Sequence, residues 1–293
     1  MISTQDPPAP SGGSALLAQY CPVVQYDSQE RYFTDSAAIL TEAPGTTLRR
    51  ADGESILAPV SLAKLGRNYP NGQAALATDY LQRPNDATDL DAALMHQTAG
   101  YANVAHGRVD QIGAQTWLQY WFFMYYDSQL NLGLATHQGD LEMIQLLLVN
   151  GAPVLADYAQ HRSGVTAPWG QVERDGDHPV VYSARGSHAS MMRWGLLVST
   201  RSFLPDLNDN GGARVSLRLI ELTDAATPWI NWPGSWGDTK PGDSELGKLG
   251  VEAYSPHGFS SHLAWRNPPK FHLQCAADDD LPALGAPHVF SGA

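Results

Sequence analysis

Charge is scarce in this chain. Asp, Glu, Lys and Arg make up 16% of its 293 residues, against roughly a quarter in an average globular domain. Lysine is rarest, with Lys64, Lys240, Lys248 and Lys270 as the full set. The balance is acidic, 18 basic against 30 acidic side chains, for a formal net charge of −12. Phosphate backbones are gripped by clustered Lys and Arg, and the only basic doublet is Arg49-Arg50, so no nucleic-acid partner is expected. Cysteine is nearly missing. Cys21 and Cys275 stand at opposite ends of the chain, which suits two reduced thiols in a reducing compartment and a cytoplasmic location. Neither lies beside a Gly, a His or a helix start that would make it a nucleophile. Long apolar runs are absent too. The stretch from Trp117 to Tyr126 is interrupted by Gln119 and falls well short of the roughly 18 residues of a membrane span, so no transmembrane segment is expected. There is no glycine-rich phosphate loop or dinucleotide fingerprint, no Gly-x-Ser-x-Gly elbow around Ser183, Ser187 or Ser190, and no internal repeat. Residues 1–14 carry neither a basic stretch nor an apolar core, which predicts a polar tail rather than a secretory signal.

Apolar residues, by contrast, are plentiful at 43%, too many for a disordered chain of this charge. Ser14 to Tyr20 predicts a short helix stopped by Pro22, and Asn85 to His96 predicts another. Val23 to Tyr26, Trp117 to Tyr126, Leu141 to Val149, Val154 to His161, Pro179 to Ser183 and Arg214 to Leu222 predict strands, being rich in aromatic and aliphatic residues. After Thr227 the density of Trp, Gly and Pro predicts long packed loops. The expectation is a β-rich chain, all-β or α+β, folded as one β-sandwich domain over residues 15–293 with long loops and a few peripheral helices.

The segment from His137 to Val149 is the most informative. Side chains alternate along a strand, so Asp140 and Glu142 share one face at the entrance to an apolar run. Carboxylates this close repel in a dry setting unless a cation, a proton or water intervenes. His137, three positions before Asp140 and across a glycine, can reach the same point. Asn150-Gly151 is the preferred pair for a two-residue hairpin turn. A two-residue loop sets Asp140 opposite His161, and a four-residue loop sets Glu142 opposite it; a bulge would break the pairing. Acids with imidazoles suit Mg²⁺, Ca²⁺ or Mn²⁺, with Zn²⁺ also within range. A solvated strand end closed by a histidine salt bridge explains the same residues without an ion. A second cluster, Arg185-Gly-Ser-His188, follows a strand and adds an imidazole and a guanidinium.

These segments resemble the domain of vacuolar protein sorting-associated protein 62. The resemblance runs through Tyr20 to Ser36, Leu118 to Tyr126, His137-Gln-Gly-Asp-Leu-Glu142, Gln160-His161, Val180 to Ser183, Gly186 to Ala189 and Ser255 to Pro268, with Leu141 where that family has Trp. The His-x-x-Asp-x-Glu core also resembles necrosis- and ethylene-inducing-peptide-like proteins, which are β-sandwiches whose Gly-His-Arg-His-Asp-Trp-Glu segment helps hold a divalent cation. That resemblance implies His137, Asp140 and Glu142 as metal ligands and Asp127 as the further upstream acid. Two functions are then expected. One is a metal-dependent enzyme, a hydrolase or a lyase/cyclase, acting on a small or lipid-like substrate, with His161 or His188 as general acid or base and Arg185 clamping an anionic group. The alternative is a non-catalytic module for glycans, lipid headgroups or protein sorting that uses the same cation, with the loop from Trp229 to Trp236 stacking on the ligand.

Overall fold

The computed structural model describes residues 12–84, 88–98, 100–132, 134–161, 163–197, 205–238, 240 and 254–277. Most of the predicted polar tail and the first residues of the predicted Asn85–His96 helix lie outside them. In chain order the short strands β1 (Val23–Gln25), β2 (Thr47–Arg49), β3 (Ser55–Leu57) and β4 (Tyr80–Gln82) precede the long ones. These are β5 (Val104–Ile112), β6 (Gln115–Gln129), β7 (Leu134–Val149), β8 (Ala152–Gln160) and β9 (Ser163–Pro168). Short strands follow: β10 (Arg174–Asp175), β11 (His178–Ser183), β12 (Ser190–Met191), β13 (Gly195–Leu197), β14 (Asp206–Asn208), β15 (Arg214–Ser216), β16 (Arg218–Glu221) and β17 (Cys275–Ala277). The helices are α1 (Gly13–Gln19), α2 (Ala38–Thr41), α3 (Thr88–Gln97), α4 (Leu263–Arg266) and α5 (Pro268–His272).

A seven-stranded sheet, ordered β16-β5-β6-β7-β8-β9-β17, packs on a five-stranded sheet built from β10, β11, β1 and β15, with β12 beside β11. The chain is thus a strand-rich β-sandwich. Ile144, Leu146 and Leu148 alternate along β7 and are fully buried, as are Tyr120 and Tyr158 on its neighbours. Each such aliphatic side chain contributes about 1.5–3 kcal/mol by leaving water. The predicted strand from Arg214 to Leu222 is broken at Leu217 into β15 and β16, which join different sheets. The predicted loop after Thr227 also contains α4 and α5. Its tryptophans are core: Trp229, Trp232 and Trp236 are buried, and Trp229 and Trp232 each meet the Trp236 ring edge to face. They cannot be the stacking platform expected from the sequence. Cys21 and Cys275 are unbridged thiols.

Candidate functional site

The two central strands are unequal in length to their neighbour, and the site lies where that difference falls. β8 pairs only with Ile144–Val149 of β7, so the preceding half of β7 is hydrogen-bonded to β6 alone. Beside this unpaired stretch opens a cleft of about 410 Å³, lined by Asp127, His137, Asp140, Glu142 and His161 on one side. Tyr254, His257, His262, Leu263, Ala264 and Phe271 form the other side.

Asp127 on β6 stands directly opposite His137 on β7. In a regular strand His137 and Asp140 would point to opposite faces. Gly139 lies between them at φ 64°, and this left-handed residue turns the chain so that both reach the cleft. A side chain is also excluded there, because a Cβ on Gly139 would sit 2.9 Å from Cβ of Trp236. Asp127, His137 and Asp140 each offer a ligand atom, and these atoms lie within 4.8 Å of one another. His137 Nδ1–H donates to the Gly139 carbonyl at 2.7 Å, a tautomer assigned from that bond. Its Nε2 keeps a lone pair and stands 3.8 Å from Asp127 Oδ2. Asp127 Oδ1 is buried with no hydrogen-bond partner.

The electrostatics divide the acids. Burial, reinforced by the charge of Asp140, pushes the carboxyls of Asp127 and Glu142 well above their ordinary range. Burial also lowers His137, keeping it neutral. Burial opposes ionisation of Asp140 as well, but the hydrogen bond and charge of His188 outweigh it and hold Asp140 below its usual value. His188 Nδ1 donates to Asp140 Oδ2 at 2.8 Å, and Nε2 lies 3.5 Å from Glu30 Oε1. Glu30 in turn accepts from the backbone N–H groups of Arg31, Tyr32 and Gly186. Burial opposes charge on the ring, but the two carboxylates outweigh it and raise His188 far above an ordinary histidine. His188 is therefore a buried cation between two anions. It holds Asp140 in place and is not exposed to the cleft as an acid or base.

The other expected residues also have altered places. The hairpin turn keeps Val149 opposite Ala152 as the Asn-Gly pair predicts, but a bulge between Leu147 and Leu148 shifts the register beyond it. His161 consequently faces neither Asp140 nor Glu142 across a ladder. It sits after β8 at φ 56° and enters the cleft from that turn, with Nε2 3.4 Å from Asp206 Oδ2 and its side chain a quarter exposed. Burial opposes its charge, but Asp206, then Glu142 and Asp127, push its pKa up to about 10. It is held protonated and is not poised as a base. Arg185 donates to both oxygens of Asp27, at 2.7 and 3.1 Å, so its guanidinium is spent on a carboxylate away from the cleft and is not an open anion clamp.

Sequence reasoning missed Glu30, Asp206 and the wall from Tyr254 to Phe271. Glu30 and the block from Ser255 to Pro268 carried a signal only as parts of the resemblance. Nothing local marked Asp206, whose carboxylate accepts from Ser187 Oγ at 2.6 Å.

Three comparisons complete the description. A family model described as Vacuolar protein sorting-associated protein 62 matches residues 4–214. No curated protein matches the chain. Among solved structures, "NLPPya in complex with glucosamine" is similar at 14% identity, covering 84% of this chain and 92% of that chain, with a TM-score of 0.42. "Crystal structure of Necrosis and Ethylene inducing Protein 2 from the causal agent of cocoa's Witches Broom disease" is similar at 14% identity, covering 84% of this chain and 93% of that chain, with a TM-score of 0.39.

Proposed function

The chain belongs to the vacuolar protein sorting-associated protein 62 family, and for this member we propose a divalent-cation-dependent binding module for a hydroxyl-rich ligand, a glycan or a lipid headgroup. One observation carries the reading. Asp127 Oδ1 is a buried acceptor without a partner, in a group of Asp127, His137 and Asp140 whose ligand atoms converge. Buried polar atoms are nearly always satisfied, and a cation satisfies this one.

The donor set fits an ion. Carboxylate oxygens with a single imidazole suit Ca²⁺, Mg²⁺ or Mn²⁺ better than Zn²⁺, which prefers more nitrogen or sulfur. Asp127, His137 and Asp140 would hold the ion, with Glu142 beside them. The ion would supply a Lewis-acid centre for ligand hydroxyl groups. His188 and Glu30 fix Asp140, and the Gly139 carbonyl fixes the His137 ring. The placement of His161 and His188 supports binding over turnover, because neither is a free base at neutral pH.

The test is elemental analysis and calorimetry on chelator-treated protein titrated with Ca²⁺, Mg²⁺ and Mn²⁺, followed by a glycan array with and without the ion. About one ion per chain is expected in the wild type and none in Asp127→Asn, with glycan binding only in the presence of the ion. A wild type that takes up no ion overturns the reading.

A further inference from the structure

On the sheet face turned away from β1 and β11, four polar residues stand directly across from one another on successive strands. They are Arg108 on β5, Gln119 on β6, Gln145 on β7 and Asp157 on β8. Gln119, Gln145 and Asp157 have no exposed surface. Their hydrogen bonds run in one direction: Arg108 to Gln119 Oε1 at 3.2 Å, Gln119 to Gln145 Oε1 at 3.1 Å, and Gln145 to Asp157 Oδ2 at 2.8 Å. The row begins at a cation and ends at an anion, so each bond polarises the next.

The row also reaches the two short helices above it. A helical carbonyl normally accepts from the N–H four residues on. For Ala264 and Trp265 those residues are Pro268 and Pro269, which have no N–H to give. Gln119 Nε2 donates to the Ala264 carbonyl at 2.7 Å and Arg108 donates to the Trp265 carbonyl at 2.6 Å. Gln145 Nε2 adds a bond to the Pro268 carbonyl at 3.1 Å. At the end of the row His272 Nδ1 meets Asp157 Oδ1 at 2.9 Å. The segment so held supplies Leu263, Ala264 and Phe271 to the cleft, and it lies beyond the family-matched residues 4–214.

We propose that this polar row is a latch that positions α4 and α5 as one wall of the cleft, and that the His272–Asp157 pair is the part of the latch that pH loosens. The inference goes beyond the ion-binding reading and stands without it. His272 is the more exposed end of the latch, with its side chain 29% exposed against 19% for Arg108. Asp157 from β8 is the titratable group that faces it among the described residues. β9 presents the Thr166 hydroxyl at 3.4 Å, and β6 presents the Trp117 ring with centroids 5.9 Å apart. The hydrogen bond to Asp157 raises the His272 pKa above its ordinary value. The sign follows: a raised histidine stabilises the docked wall below the ordinary histidine pKa, and the contribution is lost as pH rises through the raised value.

Hydrogen exchange read by mass spectrometry tests this on the ion-free full chain. The amides of Phe271, Leu273 and Gln274, which donate within this segment, are the reporters. Compared at about pH 6 and about pH 9, with intrinsic exchange rates corrected, wild-type protection here is expected to fall several-fold at the higher pH. In His272→Gln, a conservative change at a partly exposed position, protection is expected to be low and equal at both. Asp157→Asn, which keeps a polar group in the row, is expected to abolish the pH dependence in the same way. Equal wild-type protection at both pH values, or His272→Gln protected like the wild type at the lower pH, overturns the latch. Titration of the same samples with Ca²⁺, Mg²⁺ and Mn²⁺ separates the two ideas: a wild type that binds none of the three overturns the proposed function and leaves the latch standing.

Discussion

Asp127 and Asp140 are the same carboxylic acid shifted in opposite directions. Both are buried in one cleft, and burial pushes both towards the neutral form. Of the two, Asp140 alone is hydrogen-bonded to His188, and that contact outweighs burial and holds its carboxyl below the usual range. An ion held by Asp127 must therefore compete with the burial that favours the protonated form of that carboxyl. Ion affinity is expected to rise as pH rises, with proton release visible as calorimetric heats that depend on the buffer; heats independent of the buffer would refute it. Asp127→Asn mimics the protonated acid in shape, so its stability to denaturant is expected to stay within about 1 kcal/mol of wild type while ion binding disappears. His188→Ala is the opposite case. It strands the Glu30 and Asp140 carboxylates in the interior and is expected to cost about 3–5 kcal/mol in a urea titration. The pair works in both directions of pH. The raised His188 contributes below the ordinary histidine pKa and is lost as pH rises through its folded value. The lowered Glu30 and Asp140 contribute above their unfolded values and are lost as pH falls.

At the scale of elements, the site depends on departures from regular strand geometry. His137 and Asp140 lie an odd number of positions apart, and left-handed Gly139 is what brings them together. Gly139→Ala would force a non-glycine residue into that region, at about 1–2 kcal/mol, and press a methyl group on Trp236. The expected result is a lower melting temperature together with weaker ion binding; unchanged affinity would show that the glycine does not shape the site. The same elements show what the sequence can and cannot reveal. Asp140 and Glu142 could be read as one face because strand alternation is a local rule, and Asn150-Gly151 gave the correct pairing at the turn. The bulge at Leu147 and Leu148 could not be read, because an apolar run looks the same in either register. Trp229, Trp232 and Trp236 are the packed core that the Trp-rich loop suggests most simply, and the stacking alternative stayed open for a related reason: a tryptophan in a Gly- and Pro-rich loop has the same local pattern whether it is core or ligand platform. Only packing against Phe259 and Phe123 distinguishes them.

For the whole molecule, the cleft joins parts that are distant in sequence. Its ligand atoms come from β6 and β7 of the seven-stranded sheet. Asp140 is tied through His188, in the loop between β11 and β12, to Glu30 just after β1, so the proposed ion site is wired to the five-stranded sheet through a buried charged chain. The polar row then ties the same seven-stranded sheet to the segment from Leu263 to His272. Such pairings carry no local signature, which is why Glu30, Asp206 and the far wall were not assigned roles from sequence. They do predict how the molecule comes apart. If the buried triad couples the sheets, β6 and β7 cannot unfold without exposing unpaired charge in the opposite layer. Calorimetry is then expected to show one cooperative transition for the described body. An ion that binds only the folded state should move that transition upward, by about 2.7 kcal/mol of added stability when it is present at 100 times its dissociation constant. Asp127→Asn should leave the transition single and unmoved by the ion. Two transitions, with the ion shifting only one, would mean that the sheets unfold separately and that the Asp140–His188–Glu30 chain does not couple them.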